Sequence, residues 1–535
     1  MAHLATDAAV RADPEPTSAR RRITSDERWR DVAAVGIPAL LAAFLSFIEI
    51  TGRSLGFDEA ATVTIASQHG SALGSAIAHD GGNMSGYYLL THLLIGAFGD
   101  GLLVIRFVSA LAIIATVALI GMIALRLFER RVAFAAGVLG AVSLPLVYWA
   151  QNARGYALMA AFACAAFLSF VAIAQPAPGG GDRRVGRRHW IAYVVFMTLA
   201  LYSSFVAILV VPAQLVMLVR RGRLARRLLL ALAVVAAFCT PLVLLATGRG
   251  SSQLFWLPRP TRKAEMQVLQ LLTSAGLQPN FHRTPSTTPL LILTVAALLV
   301  MAWVIFSGLR RGRPGQWGGL MLLAWLAIPV VLAWLESYIA QPIFLPRNLL
   351  MCVPPVALLL GLGLSDRRLP PAMALSAFVV LVALRAWQVT ASYGVSPEPW
   401  QQTTSYVLAR AHPGDCIAFY PEDARMAFGY YVASGSAAAA PRSILPVAGW
   451  GHIRPYVERY QTMPRAQIAS SASRCRRLWL VSSHEGQPHA PTTSLANRAR
   501  FFKLRRDFER RYGGGRIHQF GYASAIHVQL LRASG

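Results

Sequence analysis

The run Arg53-Ser54-Leu55-Gly56-Phe57-Asp58-Glu59-Ala60 follows the first long apolar block of the chain and sets two carboxylates side by side. Acidic residues are scarce, 24 against 51 Lys and Arg, so the overall charge bias does not explain a pair at this boundary. A carboxylate at the lip of a helical bundle, sheltered from bulk water, can serve as a general base or a metal ligand. The same pair also suits the first turn of a helix, where acids meet unpaired amides and the positive end of the helix dipole. Taken alone, Asp58 and Glu59 leave both readings open.

Two further segments offer matching chemistry. In Tyr148-Trp149-Ala150-Gln151-Asn152-Ala153-Arg154-Gly155-Tyr156, an arginine flanked by amides and aromatics can hold a phosphate while the aromatics line a sugar. Its alternative is an interfacial aromatic belt with a snorkelling arginine. Arg347, in Leu345-Pro346-Arg347-Asn348, is a second candidate phosphate ligand, with Glu336 as its expected partner. Residues 248–286 add Arg259, Arg262, Lys263, His282 and Arg283, cations that attract an anionic head group. His79-Asp80 stands in the same loop as the acidic pair. A divalent metal held by Asp58 and His79 is left open, since no spacing here is diagnostic. His484-Glu485 with His489 does not match the helical HExxH zinc pattern and reads as surface. There is no P-loop, dinucleotide fingerprint or GxSxG elbow, which argues against a nucleotide-driven pump.

The elements that must carry these residues are apolar helices. The chain has 535 residues, 55% hydrophobic and only 14% charged, with a mean hydropathy of +0.47. Soluble domains carry about 25% charge. Apolar blocks of bilayer-spanning length fall near 33–51, 103–127, 132–150, 155–175, 190–206, 207–220, 228–247, 287–309, 318–338, 347–364 and 371–389. The net charge of +27 is almost all arginine, much of it in short clusters between blocks, as at Arg130-Arg131, Arg220-Arg221 and Arg310-Arg311. That is the positive-inside pattern rather than a basic face for nucleic acid. With the N-terminus cytosolic, about eleven crossings put every cluster inside and leave residues 52–102, residues 248–286 and the tail from 390 outside. Within the first outer loop, Tyr87–Phe98 reads as an interfacial helix presenting Tyr87, Tyr88 and His92. Residues 1–32 read as a disordered cytosolic arm without the short apolar core of a signal peptide, 33–389 as the transmembrane domain, and 390–535 as an extracytoplasmic α/β domain.

In that tail, helix is expected at 399–411, 424–432 and 493–511, and strand at 415–420, at 477–481 and within 517–531. Cys416 and Cys475 then fall at or just before two strands that can be neighbours. Outside the cell they make a disulfide candidate. The tail shows no catalytic constellation and is expected to bind substrate or partner.

From Gly52 to about Gln175 the chain resembles the membrane glycosyltransferases of the GT-C fold. The likeness is to the family 39-like group that holds the protein O-mannosyltransferases and the lipid A aminoarabinose transferase. The matching pieces are Phe57-Asp58-Glu59-Ala60, the helix at Tyr87–Phe98, and Gln151-Asn152-Ala153-Arg154-Gly155-Tyr156-Ala157-Leu158. A looser likeness runs on through Leu345-Pro346-Arg347-Asn348, and the tail resembles the outer domains of actinobacterial members.

The resemblance implies a polytopic inner-membrane enzyme moving a sugar from a polyprenyl phosphate of the decaprenyl type to a cell-envelope glycolipid or glycan. Mannose is favoured, arabinofuranose being the alternative. Asp58 would be the base, Glu59 would orient it or the acceptor, and Arg154, Arg347 and Arg262 would hold the donor phosphate. Tyr87, Tyr88, His92, Gln151, Asn152, Tyr156, His282 and Glu336 would contact sugar or acceptor. The relatives' Pro-Pro signature is absent, Asn83-Met84-Ser85-Gly86 standing in its place, and so is an aspartate after the third span, which leaves the metal requirement open. A lipid or solute transporter would need internal repeats or mid-membrane charge, and neither is evident. A scaffold would leave the acidic pair with capping alone.

Overall fold

The computed structural model describes residues 25–175, 186–249, 259–274, 288–310, 313–433, 440–450, 456, 460, 462–472, 474–486, 492–521 and 525–532. Helices before the tail are α1 Ser25–Phe47, α2 Phe57–Ala66, α3 Gly70–His79, α4 Ser85–Phe98, α5 Leu102–Leu127, α6 Arg130–Ala141, α7 Leu144–Ala150, α8 Tyr156–Ala174 and α9 Arg187–Ser203. They continue as α10 Val211–Val216, α11 Gly222–Phe238, α12 Thr240–Arg249, α13 Arg262–Thr273, α14 Thr288–Leu309, α15 Arg313–Ile339, α16 Val353–Leu364 and α17 Pro371–Ser392. Short 3₁₀ segments occupy Phe205–Val210 and Pro346–Cys352. Helix α1 starts inside the stretch expected to be a disordered arm. Asp26 and Glu27 sit in its first turn, and Arg30 pairs with Asp26 at 2.8 Å, so the polar lead-in to the apolar run is itself helical.

Six helices are long and apolar enough to cross a membrane, and up to eight if the bent pairs α6–α7 and α11–α12 each count as one span, among the described residues. The other expected crossings are the 17-residue α9, the broken segment Phe205–Val216, and α14. Burial is uneven. Helix α8 and residues 346–364 are enclosed, whereas α1 and α17 turn Leu40, Phe44, Leu375 and Val379 outward, as helices at a lipid boundary do. Helix α16 lies hard against α6, where a Cβ on Gly361 would sit 2.8 Å from Ala136 Cβ; only a residue without a side chain allows that approach.

The tail holds α18 Trp400–Leu408, β1 Cys416–Tyr420, α19 Ala424–Ala433, β2 Arg442–Leu445, α20 Arg465–Ala472, β3 Arg477–Ser482, α21 Thr492–Tyr512, β4 Ile517–Phe520 and β5 Ile526–Arg532. The five strands form one sheet in the order β2-β1-β3-β5-β4, with β2, β1 and β3 parallel and β5 and β4 antiparallel. Strand β2, only four residues long, and helix α20 were not expected, and the strand-like run 517–531 folds as the hairpin β4–β5. Cys416, at the start of β1, is disulfide-bonded to Cys475, just before β3. Helix α19 packs against α2, which brings the tail onto the loop that follows α1.

Candidate active site

The Asp58-Glu59 pair divides its roles at the start of α2. Glu59 is 2% exposed and both of its oxygens are taken. Oε1 accepts from Arg106 Nε at 2.9 Å and from the Ala153 amide at 2.8 Å. Oε2 accepts from Arg106 Nη2 at 2.8 Å and from the Gly56 amide at 3.1 Å. It thus caps α2 and fastens the acidic loop to the Gln151–Gly155 turn. Burial raises its carboxyl, but the Arg106 charge and hydrogen bonds and the two amides hold it below the ordinary range. Of the two roles expected for Glu59, orienting the base or the acceptor, direct contact with an acceptor is corrected, because no lone pair of its carboxylate is left for a substrate.

Asp58 faces a cavity of about 450 Å³ with its side chain 43% exposed. Arg347 Nη1 donates to its Oδ2 at 2.8 Å, and Arg154 Nη1 lies 3.3 Å from its backbone carbonyl. Burial pushes the Asp58 carboxyl up, but Arg347 and then Arg154 and His484 outweigh it and hold it below the usual carboxylate range. Arg347 also lies over the Tyr156 ring, 5.9 Å from its centroid. Arg154 Nη1 additionally meets Thr62 Oγ1 at 3.4 Å and Tyr88 Oη at 3.3 Å, and Tyr88 donates to Asp80 at 2.7 Å. Gly155 makes this placement feasible, since a Cβ there would collide with the Ser203 carbonyl. Arg347 thus meets the carboxylate within the cavity while Arg154 stands behind it at the Asp58 backbone, outside the lining, and the Arg347–Asp58 pair can hold a phosphate beside a base.

The core contributes two more cations that the sequence reading gave no role. Arg106 is the one charged residue in the first six turns of α5, and an intramembrane charge of that kind is itself a signal. Its Nη1 donates to the carbonyls of Ile50 at 2.7 Å and Arg53 at 3.1 Å, and its Nη2 to that of Ser54 at 3.3 Å. Arg53 lies over the Tyr148 ring at 4.5 Å and donates to Gln151 Oε1 at 2.6 Å. Burial pushes its guanidinium down to about 10.

The tail supplies the facing wall. Glu398, His484, Glu485, Asn497, Arg498 and His527 all line the cavity. Glu398 accepts from the Phe57 amide at 2.7 Å and lies 3.5 Å from His484 Nε2. Burial raises its carboxyl, with Asp58 adding to the rise and His484 and the Phe57 amide opposing it. Glu485 is 2.9 Å from His527 Nδ1. The reading of His484-Glu485 as surface is overturned; His489 lies outside the described residues. Proximity here comes from the sheet, which no local spacing encodes.

Other expected contacts fall elsewhere. Tyr87 is fully buried, donating to the Ile105 carbonyl at 2.8 Å beside Ser109, so it packs rather than meets sugar. Tyr88 is equally buried and serves Arg154. His92 lies 2.7 Å from the Ala66 carbonyl and against His69, away from the cavity lining. Gln151 and Asn152 do line the cavity, but the Gln151 amide is spent on Arg53 and on the carbonyls of Ser46 and Ile48. Arg262 opens α13 as an exposed residue outside the lining, and Glu336 is likewise outside it; Arg347 pairs with Asp58 instead. His282 lies outside the described residues. His79 faces Arg249 at 3.3 Å rather than Asp58, and among the described residues no three His, Cys, Asp or Glu side chains form a ligand set. The described residues around Asp58 thus supply no ligand set for the divalent ion that the sequence left open.

The architecture matches solved structures of membrane glycosyltransferases. ArnT from Cupriavidus metallidurans in the apo state has a TM-score of 0.56 at 15% identity, covering 94% of this chain and 98% of that one. The oligosaccharyltransferase AglB from Archaeoglobus fulgidus, in complex with an inhibitory peptide and a dolichol-phosphate, has a TM-score of 0.54 at 13% identity, covering 94% and 74%. The oligosaccharyltransferase of the same organism in its apo form has a TM-score of 0.52 at 13% identity, covering 94% and 75%. The chain is therefore a multi-pass helical protein with the GT-C fold. Within that class, residues 85–245 match the family model described as dolichyl-phosphate-mannose-protein mannosyltransferase. No curated protein sequence matches the chain.

Proposed function

We propose that the protein is an inverting glycosyltransferase that moves a sugar, mannose in the favoured case, from a polyprenyl-phosphate donor to a cell-envelope glycolipid or glycan. The observation that carries this reading is a cavity-lining carboxylate, Asp58, paired with Arg347 and with Arg154 at its backbone carbonyl. The match of residues 85–245 to a mannosyltransferase family supports it and favours mannose. The donor is of the decaprenyl type, and the cavity opens on the outer face of the inner membrane, with the N-terminus cytosolic.

In the reaction the acceptor hydroxyl oxygen attacks the anomeric carbon of the donor sugar as its bond to the phosphate oxygen breaks. The hydroxyl proton passes to the Asp58 carboxylate. The bonding electrons leave with the polyprenyl phosphate, whose added charge is met by the two guanidiniums. One displacement on one face inverts the anomeric centre. Arg347 has two tasks in sequence: it pairs with Asp58 and then turns to the phosphate when donor enters.

Purified protein is tested with radiolabelled decaprenyl-phospho-mannose and decaprenyl-phospho-arabinofuranose, with envelope lipid extract as acceptor. Wild type is expected to transfer label from the mannose donor. Asp58→Asn should lose about a hundredfold to ten-thousandfold in turnover while still binding donor. Transfer from the arabinose donor alone would replace mannose in this reading, and full activity of Asp58→Asn would remove Asp58 as the base.

A further inference from the structure

We propose that Glu398, carried by the tail, is a positioning residue for Asp58: it fixes the first turn of α2 and so the direction from which the base enters the cavity. The catalytic part of this proposal rests on the transferase reading; the contact itself rests on geometry. A helix leaves its first amides without intrahelical partners, and what satisfies them sets the entry angle of the chain. In α2 the Gly56 amide goes to Glu59 and the Phe57 amide goes to Glu398 Oε2 at 2.7 Å. Asp58 is the next residue, so Glu398 holds the last amide before the base.

The contact is one of a series. The Ser54 amide donates to Ser396 Oγ at 2.8 Å and the Leu55 amide to Tyr431 Oη at 2.7 Å. Three of the four amides from Ser54 to Phe57 are therefore satisfied by the tail. The other Glu398 oxygen lies 3.5 Å from His484 Nε2, and the His484 ring packs on Phe57 with centroids 4.5 Å apart. His484 follows β3 and sits in the left-handed region at φ 52°, a conformation that a non-glycine residue adopts at some cost and that surrounding contacts must hold. The path from sheet to base is thus β3, His484, Glu398, the Phe57 amide, Asp58.

Arg106 secures the same loop from the core through the Ile50, Arg53 and Ser54 carbonyls. Loss of Glu398 should leave the loop folded and free only the turn that aims Asp58. The test uses the full-length protein in lipid nanodiscs, comparing wild type, Glu398→Ala and Glu398→Gln. Three quantities are read: kcat, KM for decaprenyl-phospho-mannose, and amide hydrogen exchange over residues 52–60. Glu398→Ala should lower kcat roughly tenfold to a hundredfold through misplacement of the base, keep KM within about twofold, and speed exchange over that peptide. Gln retains an acceptor oxygen and should restore both kcat and protection. If Glu398→Ala does not fold, Glu398→Asp, which keeps the charge but shortens the reach to the Phe57 amide, carries the same test. Wild-type kcat in Glu398→Ala, slowed turnover with unchanged exchange, or Gln as impaired as Ala would each overturn the proposal. Wild type inactive with every polyprenyl-phosphate sugar would overturn the transferase reading itself, an outcome seen without any variant.

Discussion

Asp58 and Glu59 are neighbours of the same chemical type with opposite fates, and helix geometry is the reason. Successive residues on an α-helix point about 100° apart, so one carboxylate can enter the cavity only if the other turns into the core. The sequence presented the pair but not the choice. The choice is made by Arg106, which claims Glu59 from α5, and by Arg347, which meets Asp58 from beyond α15. Both partners were visible as residues, Arg106 as the one charge in the first six turns of an apolar helix, yet their pairing spans separations that no motif records.

The two ion pairs predict different phenotypes. Arg106 and Glu59 are 1% and 2% exposed, and breaking such a pair leaves a buried charge uncompensated. Arg106→Met should therefore cost about 3–5 kcal/mol in thermal unfolding, and the double variant with Glu59→Gln should recover part of the loss. At Asp58 the effect is on titration. Arg347 is the largest influence lowering its carboxyl, opposing burial, with Arg154 and His484 helping. A depressed carboxyl stays charged as the pH falls, until its lowered pKa is crossed. Arg347→Gln should raise that pKa, so the acid limb of kcat/KM moves to higher pH and turnover drops. Arg262→Gln, on the exposed start of α13, should leave the limb where it is. An unmoved limb in Arg347→Gln would separate Arg347 from the base.

At the scale of elements, legibility followed periodicity and length. The long apolar blocks became helices, and three of the tail's four helices and most of its strands fell where turn residues and β-rich runs put them, the eight-residue α20 being the helix not expected. What escaped was short or broken. Strand β2 has four residues, and Phe205–Val216 is a 3₁₀ turn joined to a short helix, too brief to cross a bilayer. The start of α1 was hidden for a different reason, because its polar first turns look like solvated chain until Asp26 and Arg30 are seen to pair. The Cys416–Cys475 bond ties the starts of β1 and β3 across 59 residues of chain. Closing a loop of that size in the unfolded state stabilises by about 2–4 kcal/mol. The Cys416→Ser, Cys475→Ser variant should therefore unfold at lower temperature, with near-native kcat below its transition. A drop in kcat at low temperature would show the bond to be shaping the cavity wall rather than only the sheet's stability.

The whole molecule is a helical core closed at one end by the tail, and the cavity exists only where the two meet. Its core side carries Arg53, Arg106 and Arg347 beside Asp58 and Glu59, and its tail side carries Glu398, Asp423 and Glu485 with His484, His527 and Arg498. No local reading could assemble that wall, because Phe57 and Glu398 are separated by 341 positions and meet only through the fold. The arginines beside Asp58 make a prediction about the product as well as the substrate. If the guanidiniums of Arg154 and Arg347 receive the leaving phosphate, the bare polyprenyl phosphate should bind without any sugar and stabilise the folded state. At a lipid concentration a hundredfold above its dissociation constant, linkage gives about 2.7 kcal/mol, read as a rise in the thermal midpoint in detergent. The double variant Arg154→Gln, Arg347→Gln should lose most of that rise. Glu398→Gln, on the opposite wall, should keep it. Equal stabilisation of wild type and the arginine double variant would move the phosphate away from Asp58. The inverting geometry would then need another leaving-group site within the same cavity, with Arg53, Arg106 and Arg498 the remaining lining arginines to test among the described residues.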